Sequence, residues 1–332
     1  MKKFLKFLKW AGVILVVVVG GLYSFVQLTW DKKIDAPFPD IKATTDSAVI
    51  ARGKYLVEGP AHCIGCHVPN EKLKQVYTGE IIPLSGGWEA TFPGFGTFRA
   101  PNLTPDMETG IGKRTDAELA RSIRYGVRPD GTPMMPFMNF QGMSDDDLTA
   151  IISFLRSQTA VKHEILPNEI GFMAKAVYAF GLMKAEGPKS TPPKHVVIDT
   201  SIAYGQYVAN NVAQCRNCHV EYDMVTGEQI GADFAGKGLF PANDHTDGYS
   251  FISPNITPHP ETGIMAHWNE EAFVSRFKAG PVHNTSPMPW AMMARMNDVE
   301  LKAVYRFLQS LEPVENKIEK TVYAPGEKLP EQ

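Results

Sequence analysis

Residues 62–67 read HCIGCH, and residues 214–219 read QCRNCH. These two stretches hold all four cysteines of a chain of 332 residues. In each, two cysteines stand three positions apart and a histidine follows directly, so on one helical turn the three side chains share a face. The fold turns on whether the two stretches build one site or two.

The chain repeats itself, which points to two. GKYLVEGPAHCIGCH aligns with GQYVANNVAQCRNCH, pairing Gly53 with Gly205, Tyr55 with Tyr207 and Cys63 with Cys215 at a spacing of 152. APNLTPDMETGIG aligns with SPNITPHPETGIM, pairing Pro101 with Pro254 at a spacing of 153. The segment TPMMPFMNFQGMSDDDLTAIISFLRS aligns with TSPMPWAMMARMNDVELKAVYRFLQS at the same 153. A repeat of this length describes two units of one architecture.

Each unit reads as helix, cysteine motif, long irregular loop, helix, methionine loop, helix. The first helix is expected near 47–58 and again near 201–212, with a Gly and a Tyr placed for close helix crossing. The last carries Leu148, Ile151, Ile152 and Leu155 at helical spacing, matched by Leu301, Val304, Tyr305 and Leu308. Ser144 with Asp147, and Asn297 with Glu300, look like its caps. A middle helix follows Thr115 and Asn269 and stops at Gly126 and Gly280. Roughly 50 Gly- and Pro-rich residues lie between motif and middle helix, far beyond ordinary loop length. A compact unit holding so much irregular chain needs a core filled by something besides side chains, which a bound cofactor provides.

C-x-x-C-H is the attachment sequence of a c-type haem. Two thiols one turn apart reach two vinyl groups of a porphyrin, and the adjacent imidazole reaches its iron. A four-cysteine zinc site would have to join two self-contained units. A thioredoxin-like pair needs a strand-helix setting that neither motif has, and disulfides would leave the histidines without a task. The residues thus predict two haems, held by Cys63, Cys66, Cys215 and Cys218, with His67 and His219 as proximal ligands.

The distal ligand has to be chosen among 14 methionines, most of which serve as packing. Met135-Pro136-Phe137 aligns with Met288-Pro289-Trp290, each methionine 72 or 73 residues after its unit's first cysteine. Met143 and Met296 also align, but they precede the last helix at a hydrophobic-staple position and are expected in the core. We assign Met135 and Met288, with Met138 and Met292 as the nearest competitors. Histidine–methionine ligation favours ferrous iron and closes both axial positions, the requirement for outer-sphere electron transfer.

The N-terminus reads MKKFLKFLKWAGVILVVVVGGLYSFVQLTW, with no formal charge among the 21 residues from Trp10 to Trp30. As a helix this segment rises about 31 Å, a bilayer's hydrocarbon thickness. Lys2, Lys3, Lys6 and Lys9 precede it, so residues 31–332 are expected outside the cytoplasm. The apolar run is longer than a usual signal peptide's and no A-x-A site follows it, which favours a retained anchor. A net charge of −3 with well-mixed signs gives no footprint for nucleic acid.

Tandem C-x-x-C-H units with a PNITP…ETGIG loop and an MPF or MPW methionine loop resemble the class I cytochrome c domains of membrane-bound bacterial cytochromes. The likeness is greatest to cytochrome c subunits of membrane dehydrogenases for alcohols, gluconate or fructose, although those carry three units and this chain two. It covers about residues 45–160 and 198–312. The resemblance implies an all-α fold and redox-protein partners: a dehydrogenase or quinol-oxidising complex as donor, an oxidase or soluble cytochrome as acceptor. It also makes Arg99, Asn102 and Asn255 candidate partners of haem propionates, and Trp88 and Trp290 pocket-packing residues. The expected organisation is a basic end and anchor (1–30), two domains (45–160 and 198–312), a linker with an apolar helix (161–197) and a polar tail (313–332). A dihaem cytochrome c peroxidase is the alternative, but it needs one displaceable distal ligand where both units here supply the same loop.

Overall fold

In the computed structural model, residues 1–182, 187–223 and 228–330 are described. About 40% of the chain is helical. The first helix, α1 (Lys2–Thr29), is the apolar N-terminal segment, and Val26 is its one buried residue.

The first unit opens with α2 (Ser47–Glu58), whose start is fixed by Asp46: its Oδ1 accepts from the amides of Ala48 and Val49. A short α3 (Leu73–Tyr77) follows the cysteine motif. Then come strands β1 (Glu89–Phe92) and β2 (Gly96–Arg99), antiparallel with Glu89 opposite Arg99. Helix α4 (Asp116–Tyr125) begins with a full capping box of Thr115 and Glu118 and ends on Gly126 at φ 61°. A tight left-handed turn there suits glycine. Helix α5 (Asp145–Ser157) closes the unit, with Leu148, Ile151, Ile152 and Leu155 all buried as their spacing predicts.

The connection carries β3 (Glu169–Ile170), which pairs with β2, and α6 (Phe172–Ala179), packed on α1. The apolar helix expected in the linker (161–197) is thus Phe172–Ala179, and residues 183–186 lie outside the described residues. The second unit repeats the plan with α7 (Ile202–Tyr207) running into a π turn at Val208–Val212, then α8 (Cys215–Cys218) on the motif itself. Strands β4 (Leu239–Phe240), β5 (Ser250–Ile252) and β6 (Val322–Tyr323) form a second antiparallel sheet. Helices α9 (Glu270–Lys278), α10 (Trp290–Met293) and α11 (Asp298–Gln309) complete it. The all-α expectation accounts for the frame; the two three-stranded sheets go beyond it.

The repeat also runs further than 160 and 312. Val161 offers its carbonyl to Asn102 and Val314 offers its own to Asn255, and β3 and β6 stand at the same offset of 153. The polar segment after 312 thus contributes β6 to the second sheet.

Within each unit the first and last helices cross at glycine. A Cβ on Gly53 would collide with the Ala150 carbonyl, and one on Gly205 with the Ala303 carbonyl. The absence of a side chain lets backbone meet backbone and brings Leu56 and Val57, or Tyr204 and Val208, into the same core.

The two units lock together through an exchange. Tyr207 Oη of the second unit donates to Asp147 Oδ2 of the first at 2.7 Å and accepts from the Ser144 amide at 3.0 Å. Tyr55 Oη of the first unit does the same for Glu300 and the Asn297 amide, the latter at 3.0 Å. Ser144 Oγ and Asn297 Oδ1 cap their helices through the amides of Asp147 and Glu300, as the sequence predicts. The cap residue's own amide, however, is satisfied from the opposite unit. Arg52 bridges Asp147 and Glu300, and Tyr204 donates to Glu300 at 2.6 Å, so both buried carboxylates are paired. Burial alone would lower Arg52, but Asp147 and Glu300 hold its pKa raised.

Candidate functional site

Each cysteine motif starts with a backbone irregularity. His62 and Gln214, directly before the first cysteine, take left-handed conformations at φ 40° and 54°. Non-glycine residues adopt these at a cost of about 1–3 kcal/mol, and such strain gathers at functional sites. From there the chain makes one turn in which the amide of His67 donates to the Cys63 carbonyl, and that of His219 to the Cys215 carbonyl, both at 3.0 Å. Both cysteines and the histidine of each motif are thus carried on one turn. All four thiols are unpaired, and burial pushes those of Cys63 and Cys215 up to about 12, so they stay protonated at neutral pH.

The imidazoles are oriented from behind. His67 Nδ1 lies 3.0 Å from the Pro101 carbonyl and His219 Nδ1 lies 2.9 Å from the Pro254 carbonyl. A carbonyl only accepts, so Nδ1 carries the proton and Nε2 keeps the lone pair. Burial lowers both histidines' pKa against the opposing effect of that hydrogen bond, which keeps each ring neutral. A neutral imidazole with Nε2 free is what an iron ligand must be. The thiol spacing, the unpaired sulfurs and the fixed tautomer all fit a covalently held haem.

The proline loop is held in turn. A Cβ on Gly86 (φ 73°) or Gly236 (φ 78°) would meet the carbonyl group of Pro101 or Pro254, and these glycines donate to the carbonyls of His67 and His219. Asn102 is 2% exposed: its Oδ1 accepts from the Thr104 amide and hydroxyl, and its Nδ2 donates to Thr109 Oγ1 and the Val161 carbonyl. Asn255 repeats this with Thr257, Thr262 and Val314. An amide side chain offers two donors and two acceptor sites, and both asparagines use theirs in closing the loop. Arg99 bonds Glu89, Glu169 and the Pro167 carbonyl, tying β1 to β3. The sequence reading missed the proline carbonyls, although their equal placement in the duplicated PN loops was a usable signal.

The methionine loops have one local geometry. The Phe137 amide donates to the Met135 carbonyl and the Trp290 amide to the Met288 carbonyl, each at 2.7 Å, a γ-type turn around the intervening proline. Met143 and Met296 are fully buried core residues, as expected. Met292 is also fully buried, but its sulfur faces Gly65 of the opposite unit's motif, 3.4 Å from where a Cβ would stand. Met135 packs beside Phe98 and Tyr178, whereas Met138 packs on the core that holds Cys63. Around Met135, Phe137 contacts Trp88, Phe92 and Phe98 with ring centroids 5.8–6.4 Å apart. Trp290 packs on Phe277 at 5.5 Å, with the Arg276 guanidinium 3.8 Å from its ring. Among the other histidines, His259 accepts from the Thr262 amide at 3.2 Å and His163 Nδ1 lies 3.0 Å from the Ser85 carbonyl.

Residues 50–159 match the family described as Cytochrome c. The first unit is a cytochrome c domain. Such a domain implies covalently bound haem c, in keeping with the geometry of Cys63, Cys66 and His67. Over 292 residues the chain is 28% identical to the cytochrome c subunit of a quinone alcohol dehydrogenase from Gluconobacter oxydans, covering 81% of this chain and 56% of that protein. It is 25% identical to the fructose dehydrogenase cytochrome subunit of Gluconobacter japonicus, covering 83% and 55%. A diheme cytochrome c-type protein of Cereibacter sphaeroides is 24% identical, with 92% of this chain and 98% of that protein covered. The chain is thus homologous to cytochrome c subunits of membrane-bound dehydrogenases, yet it spans just over half the length of those subunits.

Proposed function

We propose that this chain is a membrane-anchored dihaem c-type cytochrome. It carries electrons on the periplasmic side of a bacterial inner membrane, from a dehydrogenase or quinol-oxidising complex to an oxidase or soluble cytochrome. The observation that carries the reading is the doubled geometry, in which a C-x-x-C-H turn meets a proline carbonyl on the histidine's Nδ1 in both units. Cys63 and Cys66 hold one haem, Cys215 and Cys218 the other. His67 and His219 are the proximal ligands, and Met135 and Met288 the distal ones.

When bound, each haem supplies one-electron exchange at its iron. The residues around it hold, orient and shield it. A haem held by His67 and Met135, or by His219 and Met288, would offer no coordination site for a substrate, which makes the chain in this reading an electron-transfer component rather than a catalytic subunit. The near full-length match to a diheme cytochrome supports two haems. The dehydrogenase subunits among its relatives support a dehydrogenase as donor, and none of those relatives supports a peroxidase. A helix of 28 residues with Lys2, Lys3, Lys6 and Lys9 in its first turns and an apolar remainder supports the anchor and its orientation.

The test is a haem-to-protein ratio with optical and electron paramagnetic resonance spectra of the oxidised protein. Two low-spin haems per chain with the far-red band of methionine ligation are expected. One haem per chain, or a high-spin ferric signal in the intact protein, would overturn the reading.

A further inference from the structure

Helix α6 is an unusual element for a water-soluble connection. From Gly171 to Leu182 the only charged residue is Lys175. Its inner face, Ala174 and Tyr178, is buried against Phe98. Its outer face is apolar and open: Phe172 is 47% exposed, Met173 51% and Phe180 50%, with Leu182 just beyond the helix at 77%.

What α6 touches fixes where that open face lies. Tyr23 of α1 stacks on Phe172 at 5.6 Å and Phe25 meets Phe180 at 5.4 Å. Lys175 Nζ donates to Gln27 Oε1 at 3.1 Å and stands 5.2 Å from the centre of the Trp30 ring. These contacts lie on the last two turns of the apolar span. At 1.5 Å per residue, Tyr23 is about 10 Å from the Trp30 end. An element packed along that stretch sits at the depth where interfacial helices lie, about 5–10 Å into the boundary between headgroups and acyl chains. Lys175 is placed at the exit end, where an ammonium can reach the headgroups.

We infer that α6 is a second membrane contact, lying in the outer face of the bilayer beside the anchor, with Phe172, Met173, Phe180 and Leu182 in lipid. The occupant of the open face is lipid because the face continues the surface of α1 itself. This rests on the proposed anchor. It gives the first unit a fixed orientation, because Met135 and Phe98 pack on the buried face of α6.

The test uses the full-length, haem-loaded protein in phospholipid nanodiscs with no partner protein. Spin labels are placed singly at Met173→Cys, Phe180→Cys and Leu182→Cys, with Val17→Cys in the span and Lys194→Cys on the protein surface. Accessibility to oxygen and to a water-soluble nickel chelate gives depth. Haem content and optical spectrum establish that each variant is folded, and Leu182, which is mostly exposed, is the substitution least able to disturb the fold. Labels at 173, 180 and 182 are expected to favour oxygen, as at 17, while the label at 194 favours nickel. If 17 reports lipid but 173, 180 and 182 report water, the inference is wrong and the anchor stands. If 17 itself reports water, the anchor reading fails and takes the inference with it.

Discussion

Tyr207 of the second unit places its hydroxyl 2.7 Å from the Asp147 carboxylate of the first, at the start of that unit's closing helix. With its mirror, Tyr55 on Glu300, this makes each unit complete the other's helix cap. For the two haems proposed above, this seam of paired buried charges would fix their separation.

Removing one of these hydroxyls leaves a buried carboxylate and a cap amide short of a partner. Tyr207→Phe is expected to lower stability by about 2–3 kcal/mol, the scale of a hydrogen bond to a charged group plus the unsatisfied remainder. Denaturant unfolding of the haem-loaded protein measures it. A loss below about 0.5 kcal/mol, the level of an ordinary surface substitution, would show that the seam does not matter to stability.

The same seam predicts an alkaline limit. Burial first, and then the neighbouring carboxylates, raise the pKa of Tyr55, Tyr204 and Tyr207. A raised phenol favours the neutral form in the fold. Its contribution is therefore complete below the ordinary tyrosine value of about 10 and is lost as pH climbs through the higher folded value. Unfolding midpoints should fall more steeply above that pH in the native protein than in Tyr55→Phe/Tyr207→Phe. Parallel pH profiles would contradict this.

Gly205→Ala forces a methyl into the Ala303 carbonyl at the crossing of α7 and α11. Overpacking of this kind is expected to cost about 3 kcal/mol, outweighing the ordinary gain from replacing a helical glycine. A thermal melt of the variant decides the matter; an unchanged or higher midpoint would mean the crossing can relax.

Ligand identity separates by pairs of variants. Met288→Ala is expected to lower one reduction potential, abolish half of the far-red band and let ferrous iron bind carbon monoxide, while Met292→Ala changes stability only. In the first unit Met135→Ala should behave like Met288→Ala and Met138→Ala should not. Carbon monoxide binding to Met138→Ala but not to Met135→Ala would transfer the assignment to Met138.

Cys63→Ser/Cys66→Ser is expected to leave one covalent haem per chain, still low-spin, because each motif has its own histidine and proline loop. Loss of both haems would show that the second unit cannot form without the first.

What the sequence determined by itself was everything with local or repeated spacing. The haem motifs, the caps at Asn297 and Ser144, the buried faces of α5 and α11 and the glycine crossings follow from 3.6-residue periodicity and the offset of 152 or 153. Those signals lie in side-chain order along one element, and the duplication confirms each by a second copy. Only the tertiary structure decided which surfaces meet. The partner of Tyr207 lies 60 residues away and that of Tyr55 lies 245 away. The bond orienting His67 comes from a backbone carbonyl, a group every residue possesses, so the duplicated PN loop marks the place while only the fold shows the bond. The strands pair through backbone groups as well, so β3 and β6 were read as linker and tail until their neighbours stood beside them. Periodicity reports which face of an element is buried; what covers that face depends on the rest of the chain.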